Sequence, residues 1–220
     1  MDKKKGIIVK VKPSISKLSK ELGMDKLFQS DGSGRQFNAC LNWHNQDVNV
    51  KWSAYADGYK EAGDVLVEYV KENRFKADLL VYPVIFNYRH YLELRLKELI
   101  IKGRKLYDVE EALTTNHNLS WLWKECRTIL ERVWPEGDKT DLDKIESGIN
   151  EFYGVDPTSY SFRYPVRKDG QETIPDLTYI NLVHLSDKMN EIGELLDGAS
   201  CGISEYLSQK GEMYRDYGAH

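Results

Sequence analysis

The sequence predicts an all-α protein, an antiparallel bundle of about five helices behind a short, partly extended N-terminal extension. Apolar residues recur at spacings of three and four over most of residues 53–210. Glycine and proline separate these stretches and cluster at 154–175, which predicts a long irregular loop there. The predicted organisation is an extension at 1–52, a bundle at 53–210 and a tail at 211–220.

The composition is that of a globular protein with a core. The 220 residues are 41% hydrophobic and 30% charged, as in ordinary folded domains. A net charge of -4 and a pI near 5.8 argue against a dedicated, sequence-independent DNA binder. Three widely spaced cysteines and no long apolar run predict a reduced, cytoplasmic protein with no membrane partner.

The extension carries a basic arm. Residues 1–26 hold eight lysines against three acidic residues, which suits a solvated arm or one that contacts nucleic acid. Ile7–Val11 is a candidate short strand, and the alternation in Val48–Trp52 suits an edge strand or an extended lead-in. The first predicted helix follows from Ser53 to about Asn73.

The strongest helical pattern lies between Asp78, a candidate N-cap, and Gly103, a candidate stop. Its polar side is predicted to include Glu98 and Lys102 as solvated residues. Apolar side chains share the opposite face, namely Val81, Ile85, Tyr88, Leu92, Leu96, Leu99 and Ile100. This helix is therefore predicted to be the centre of the bundle.

Three more helices are predicted. Asn118 is a good N-cap for a helix that ends before Pro135, and 138–153 forms the next helix. Asp176 is a candidate start for the last helix. Its apolar residues follow a coiled-coil-like spacing: Leu182, Leu185, Met189, Ile192, Leu196, Ala199, Ile203 and Tyr206.

Two charged residues do not follow the division of the central helix into an apolar and a polar face. Arg89 lies inside the apolar stripe, and Glu93 follows one turn later at its edge. Because an unpaired buried charge is costly, the two residues are expected to pair with each other or with a neighbouring helix. The pair is either a salt bridge flanked by His90, or a polar pocket in which Arg89 binds a phosphate and Glu93 orients it.

His117 and Arg163 are further candidates. His117 precedes a helix and either assists its cap or acts as a general acid/base, since histidine changes charge near neutral pH. Arg163 lies between Phe162 and Tyr164, where it either pins the long loop to the bundle or closes over the pocket. Histidine and cysteine spacings match no metal motif, so neither a metal nor a cofactor is predicted.

Three segments together resemble the HEPN superfamily, in particular uncharacterised bacterial HEPN-like proteins. They are Tyr82-Pro through Arg89-His-x-x-Glu-x-x-Leu-Lys97, His117-x-Leu-x-x-Leu-Trp123, and Phe162-Arg-Tyr-Pro165. The resemblance covers about residues 53–205. It implies an all-α bundle, frequent dimerisation, and a group rich in RNA-cleaving toxins and antiphage or stress-response proteins.

The resemblance also implies a reaction, from which this sequence departs. Many members of the superfamily cut RNA without metal, using an arginine and a histidine four to six residues apart. Here Arg89 and His90 are adjacent, so their side chains point about 100° apart on a helix. Either the active residues come from different helices (Arg89, Glu93, His117 and Arg163), or the domain binds without cutting.

Two functional hypotheses follow. In the first, the protein binds RNA or a nucleotide in a defence or stress setting and is a metal-independent ribonuclease. Its catalytic candidates are Arg89, Glu93 and His117, and its ligand-binding candidates are His90, Lys97, Arg163 and Tyr164. In the second, the protein is a structural or protein-interaction bundle in which Arg89 and Glu93 form only a buried salt bridge. The expected partners are a second copy of the chain and a protein from a defence or toxin–antitoxin pair.

Overall fold

The computed structural model describes residues 27, 37–41, 48–111, 115–174 and 176–217. The chain divides into two compact units, Met1–Trp43 and His44–His220. The described residues of the first unit form no helix or strand, and the candidate strand at Ile7–Val11 lies outside them. The described residues of the second unit form five α-helices: α1 (Val48–Glu72), α2 (Ala77–Leu106), α3 (Leu119–Val133), α4 (Thr140–Val155) and α5 (Leu182–Tyr217).

The predicted all-α class is confirmed. A short 3₁₀ turn at Arg74–Lys76 joins α1 to α2, and an isolated bridge between Val166 and Glu172 is the only β pairing among the described residues. None of the helices within these residues is both long and apolar enough to cross a membrane.

Helix α2 is the centre of the bundle. It packs against α1, α3 and α5, and every residue from Tyr91 to Ile100 is buried as a result. Helix α1 runs antiparallel to it, since Asp64 meets Tyr88 near one end and Ser53 meets Glu98 near the other. Helices α3 and α5 run parallel to α2, while α4 covers α3 and α5 from outside.

The prediction that Glu98 and Lys102 lie on a solvated side of α2 is wrong. Glu98 is fully buried and Lys102 nearly so, because α1 and α5 cover the side of the helix that carries them. Glu98 accepts hydrogen bonds from Ser53 of α1 and from Ser200 of α5. Periodicity located the apolar face, but it could not tell that the opposite face would also be covered.

The prediction that Gly103 ends α2 is wrong, because this residue lies within the helix. The helix continues to Leu106, and Gly103 is buried against Ile129 of α3. A Cβ at this position would overlap the Ile129 side chain. The glycine therefore permits close packing of α2 and α3 and does not act as a cap.

Several predicted helix boundaries shift. Helix α1 already includes Val48–Trp52, which is therefore not extended, because Trp52 and Ala56 lie one turn apart and both pack on the core. Helix α2 begins at Ala77, which places Asp78 in its first turn. The Asn118 cap is confirmed, with its side-chain oxygen accepting from the Trp121 N–H at 2.9 Å.

Helix α5 begins at Leu182, six residues after the predicted Asp176. The side chain of Asn181 accepts hydrogen bonds from the N–H groups of Val183 and His184, which makes Asn181 the effective cap. The helix continues to Tyr217, so the predicted tail is helical over most of its length. Seven of the eight spaced apolar residues of α5 pack into the chain's own core, and the eighth, Tyr206, is 40% exposed.

The irregular segment between α4 and α5 is held by hydrogen bonds. Asp156 follows α4 directly, and its carboxylate accepts from the N–H groups of Tyr160 and Ser161 at 2.7 and 3.0 Å. The Thr173 hydroxyl donates to the carbonyls of Ser161 and Tyr164. This internal bonding presents Asp156 to the centre of the bundle.

Candidate functional site

Arg89 and Glu93 pair with each other in the core. The Arg89 guanidinium donates to the Glu93 carboxylate over 3.1 Å, and the Arg89 residue is 0% exposed. Lys97, one turn further along α2, donates to the other Glu93 oxygen over 2.9 Å. The three side chains form a buried row on α2, which we call the Glu93 cluster.

His117 lies at the surface end of this cluster. Its ring nitrogen Nδ1 is 2.6 Å from Glu93 Oε1, and 66% of its side chain is exposed. Asn118 starts α3 directly after it, and the Asn116 side chain bonds the Asn118 N–H. The cap therefore positions a solvent-exposed imidazole against a buried carboxylate.

The other two Arg89 nitrogens donate to two connecting segments. Nη2 donates to the His117 carbonyl over 2.8 Å, and Nε donates to the Asp156 carbonyl over 3.3 Å. The Asp156 carboxylate lies 3.5 Å from Nε as well. Arg89 therefore ties the segment before α3 and the segment after α4 to α2, and its complete burial keeps the guanidinium away from a phosphate in solvent.

Glu93 is held in its ionised form. Burial would raise its pKa, but the hydrogen bonds from Lys97 and His117 outweigh that effect and place the pKa below its usual value. His90 lies outside this bonding, with its ring stacked on Phe86 and edge-on to Tyr59. Burial lowers the pKa of His90 despite the nearby Glu93 charge, so this ring is neutral at neutral pH.

Arg163 and Tyr164 interact within their own loop. Arg163 Nε donates to the Ser159 carbonyl, and the guanidinium lies 5.7 Å from the centre of the Tyr164 ring. Tyr164 itself stacks on Tyr160. The predicted assembly of Arg89, Glu93 and His117 is therefore present in the structure, whereas Arg163 makes its contacts elsewhere.

A second buried cluster, absent from the sequence interpretation, lies further along α2. Arg95 pairs with Glu98, and Lys102 lies 2.6 Å from the other Glu98 oxygen. Arg95 also pairs with Asp57 of α1 at 2.5 Å and Asp197 of α5 at 3.0 Å. We call this the Glu98 cluster; the repeated Glu-x-x-x-Lys spacing at 93/97 and 98/102 is the signal that could have revealed it.

A groove between α3 and α4 opens beside His117. Its volume is about 550 Å³, and its lining includes Asn118, Ser120, Trp121, Trp123, Lys124 and Tyr153. The sequence analysis predicted Asn118 as a helix cap but assigned no ligand-binding role to any residue of this lining. A second, mainly apolar cavity of about 450 Å³ lies between α4, α5 and their connecting segment. Across the described parts of the chain, no three His, Cys, Asp or Glu side chains are grouped to hold a metal ion.

Comparisons with known proteins add no identification. No protein-family model matches the chain, and no curated protein or solved structure is significantly similar to it.

Proposed function

We propose that this protein is an HEPN-like RNA-binding protein that cleaves RNA without a metal ion, in a bacterial defence or stress setting. One observation carries the catalytic part. The exposed His117 ring is held through Nδ1 by the buried carboxylate of Glu93 at 2.6 Å. A histidine held in this way can exchange protons through its other nitrogen, as acid/base catalysis requires.

The proposed reaction is attack of a ribose 2′-oxygen on the adjacent phosphorus. His117 Nε2 takes the proton from the 2′-hydroxyl as the new P–O bond forms, and the 5′-oxygen departs as its bond to phosphorus breaks. The protonated His117 then returns the proton to that oxygen. The products are a 2′,3′-cyclic phosphate and a 5′-hydroxyl, and Glu93 stabilises the imidazolium between the two transfers.

The other residues of the Glu93 cluster position the catalytic groups and do not contact the phosphate. Arg89 holds the His117 backbone, and Lys97 donates to the same Glu93 oxygen that bonds His117, which fixes the position of that carboxylate. The N-terminus of α3, immediately after His117, carries the positive end of the helix dipole, which favours the negative charge of the scissile phosphate. Arg89 therefore serves as a positioning residue and not as the phosphate-binding arginine of the resemblance.

The test is incubation of purified protein with total RNA and tRNA in EDTA. We expect wild type to cleave and His117→Ala to lose at least about 100-fold in rate, the scale of acid/base catalysis. His184→Ala is the matched control, since His184 is an exposed histidine on α5. Folded wild type without cleavage, or equal rates for wild type and His117→Ala, would overturn the proposal.

A second candidate is the structural or protein-interaction bundle. The full burial of Arg89, with its donors bonded to protein groups, favours it. On this alternative the wild type neither binds nor cleaves RNA, and Arg89→Ala only lowers the melting temperature by several degrees. RNA binding by the wild type would exclude this candidate.

The expected homodimer is part of the proposal, and the turn between α1 and α2 suits it. Val65, Tyr69, Phe75, Leu79 and Tyr82 are all exposed around this turn, and Phe75 is 99% exposed. Exposed apolar groups of this extent favour a protein interface. Light scattering should give a dimeric mass that falls to the monomer value in Phe75→Glu; an unchanged mass would argue against this surface.

A further inference from the structure

We propose that the groove between α3 and α4 binds one base and ribose of single-stranded RNA, with the adjoining phosphate at His117. This inference rests on the proposed function and adds the substrate class: an unpaired nucleotide, recognised by stacking. The groove of about 550 Å³ lies within the usual range for small-ligand sites. Asn118, which lines it, is the residue directly after His117.

Two aromatic side chains supply stacking surfaces. Trp121 of α3 is 43% exposed and Tyr153 of α4 is 38% exposed, and both line the groove. Large aromatic groups facing solvent from neighbouring helices are suited to an unpaired base, because every base has a flat apolar face. Double-stranded RNA keeps its bases stacked inside the helix and would not fit this mode of binding.

A buried donor in the groove lining has no partner. Trp123 is almost fully buried, and its indole N–H makes no hydrogen bond within the described residues. The indole nitrogen is closed off from solvent, so an acceptor on a ligand can reach it only when neighbouring side chains shift on binding. Base carbonyls and ring nitrogens provide such acceptors. Ser120 and Asn150, which also line the groove, offer further polar contacts to the base and ribose.

The charges of the groove favour a base over a phosphate chain. Arg127 pairs with Glu131, Asp143 and Glu146, so one guanidinium faces three carboxylates and offers no free positive charge to a phosphate. Lys124 is an exposed cation in the lining with no ion pair to any described residue. We therefore expect about one phosphate contact, and a plot of log affinity against log salt with a slope near about -0.7.

The experiment uses a fluorescent, mixed-sequence single-stranded oligonucleotide with 2′-fluoro riboses, which lacks the attacking 2′-hydroxyl. Binding to the full chain is followed by anisotropy. We expect Trp121→Ala and Tyr153→Ala each to weaken binding about 10-fold, the scale of one stacked base. Tyr179→Ala, which removes an exposed tyrosine outside the groove, should bind like wild type.

The two proposals fail in different ways. Wild-type affinity in both groove variants, or no binding of the probe by wild type, would overturn the groove as the site. Selective weakening in the groove variants supports it even if wild type cleaves no natural RNA, which would overturn only the proposed catalysis.

Discussion

The two charged clusters on α2 are built alike yet hold different parts of the molecule. Each contains an arginine, a glutamate and a lysine four residues after the glutamate. The Glu98 cluster joins helices, through Asp57 and Ser53 of α1 and through Asp197 and Ser200 of α5. The Glu93 cluster joins connecting segments, through the backbone of His117 and Asp156.

The two clusters also differ in whether their glutamate contacts a group at the surface. In the Glu98 cluster, both oxygens of the glutamate are bonded to buried or partly buried groups. In the Glu93 cluster, one glutamate oxygen is bonded to the exposed ring of His117. Similar spacings of charge in the sequence thus give one cluster that docks helices and one that also orients a titratable group at the surface.

The largest expected effect is on helix docking. Glu98→Gln removes the carboxylate that neutralises Arg95 and Lys102, and should lower the free energy of unfolding by about 3–5 kcal/mol. Urea unfolding followed by circular dichroism measures the change. Arg74→Ala, at an exposed position between α1 and α2, is the control and should stay within about 0.5 kcal/mol. An equally small effect for Glu98→Gln would contradict the role given to this cluster.

A smaller loss of stability is expected when Arg89 no longer bonds both connecting segments. Arg89→Lys keeps the charge but cannot reach all three acceptors, and should destabilise by about 1–3 kcal/mol. Hydrogen exchange should show faster exchange at 115–118 and 156–161 than in α1 or α5. Uniformly faster exchange across the bundle would mean that Arg89 supports the whole core rather than these segments.

Both clusters should make the free energy of unfolding fall at acid pH, because each contains a buried and paired glutamate. The pKa values of Glu93 and Glu98 lie below the usual 4.5, since ion pairs and hydrogen bonds outweigh burial. As the pH falls below that value, the unfolded chain takes up protons first, so the folded state loses stability until it is protonated too. Denaturation from about pH 7 to about pH 3 should show this loss. It should be shallower in Glu93→Gln, and an unchanged profile in that variant would contradict the paired state of Glu93.

The smallest effect on stability is expected at His117. His117→Ala removes one hydrogen bond from a largely exposed ring, and should cost at most about 1 kcal/mol. Thermal unfolding beside the RNA assay measures both properties on the same sample. A loss as large as that of Glu98→Gln would mean that the His117–Glu93 contact supports the fold rather than a reaction.

The candidate site shows how far the sequence can be interpreted. The pairing of Arg89 with Glu93 followed from a charge placed in an apolar stripe, and the cap at Asn118 followed from its residue type. Neither pattern could indicate that Arg89 would also bind the His117 and Asp156 carbonyls. Such contacts join residues far apart in the chain, and a backbone acceptor carries no side-chain signature.

The sequence by itself determined the all-α class, the central position of α2, and the presence of a paired charge within it. These features depend on periodicity and on the free energy of burying charge, both of which are local. Only the tertiary structure decided that Glu98 and Lys102 are buried, that Gly103 is a packing site, and that a groove lies beside His117. Each of these depends on which helices cover a given face, and that is set by how the described helices pack together.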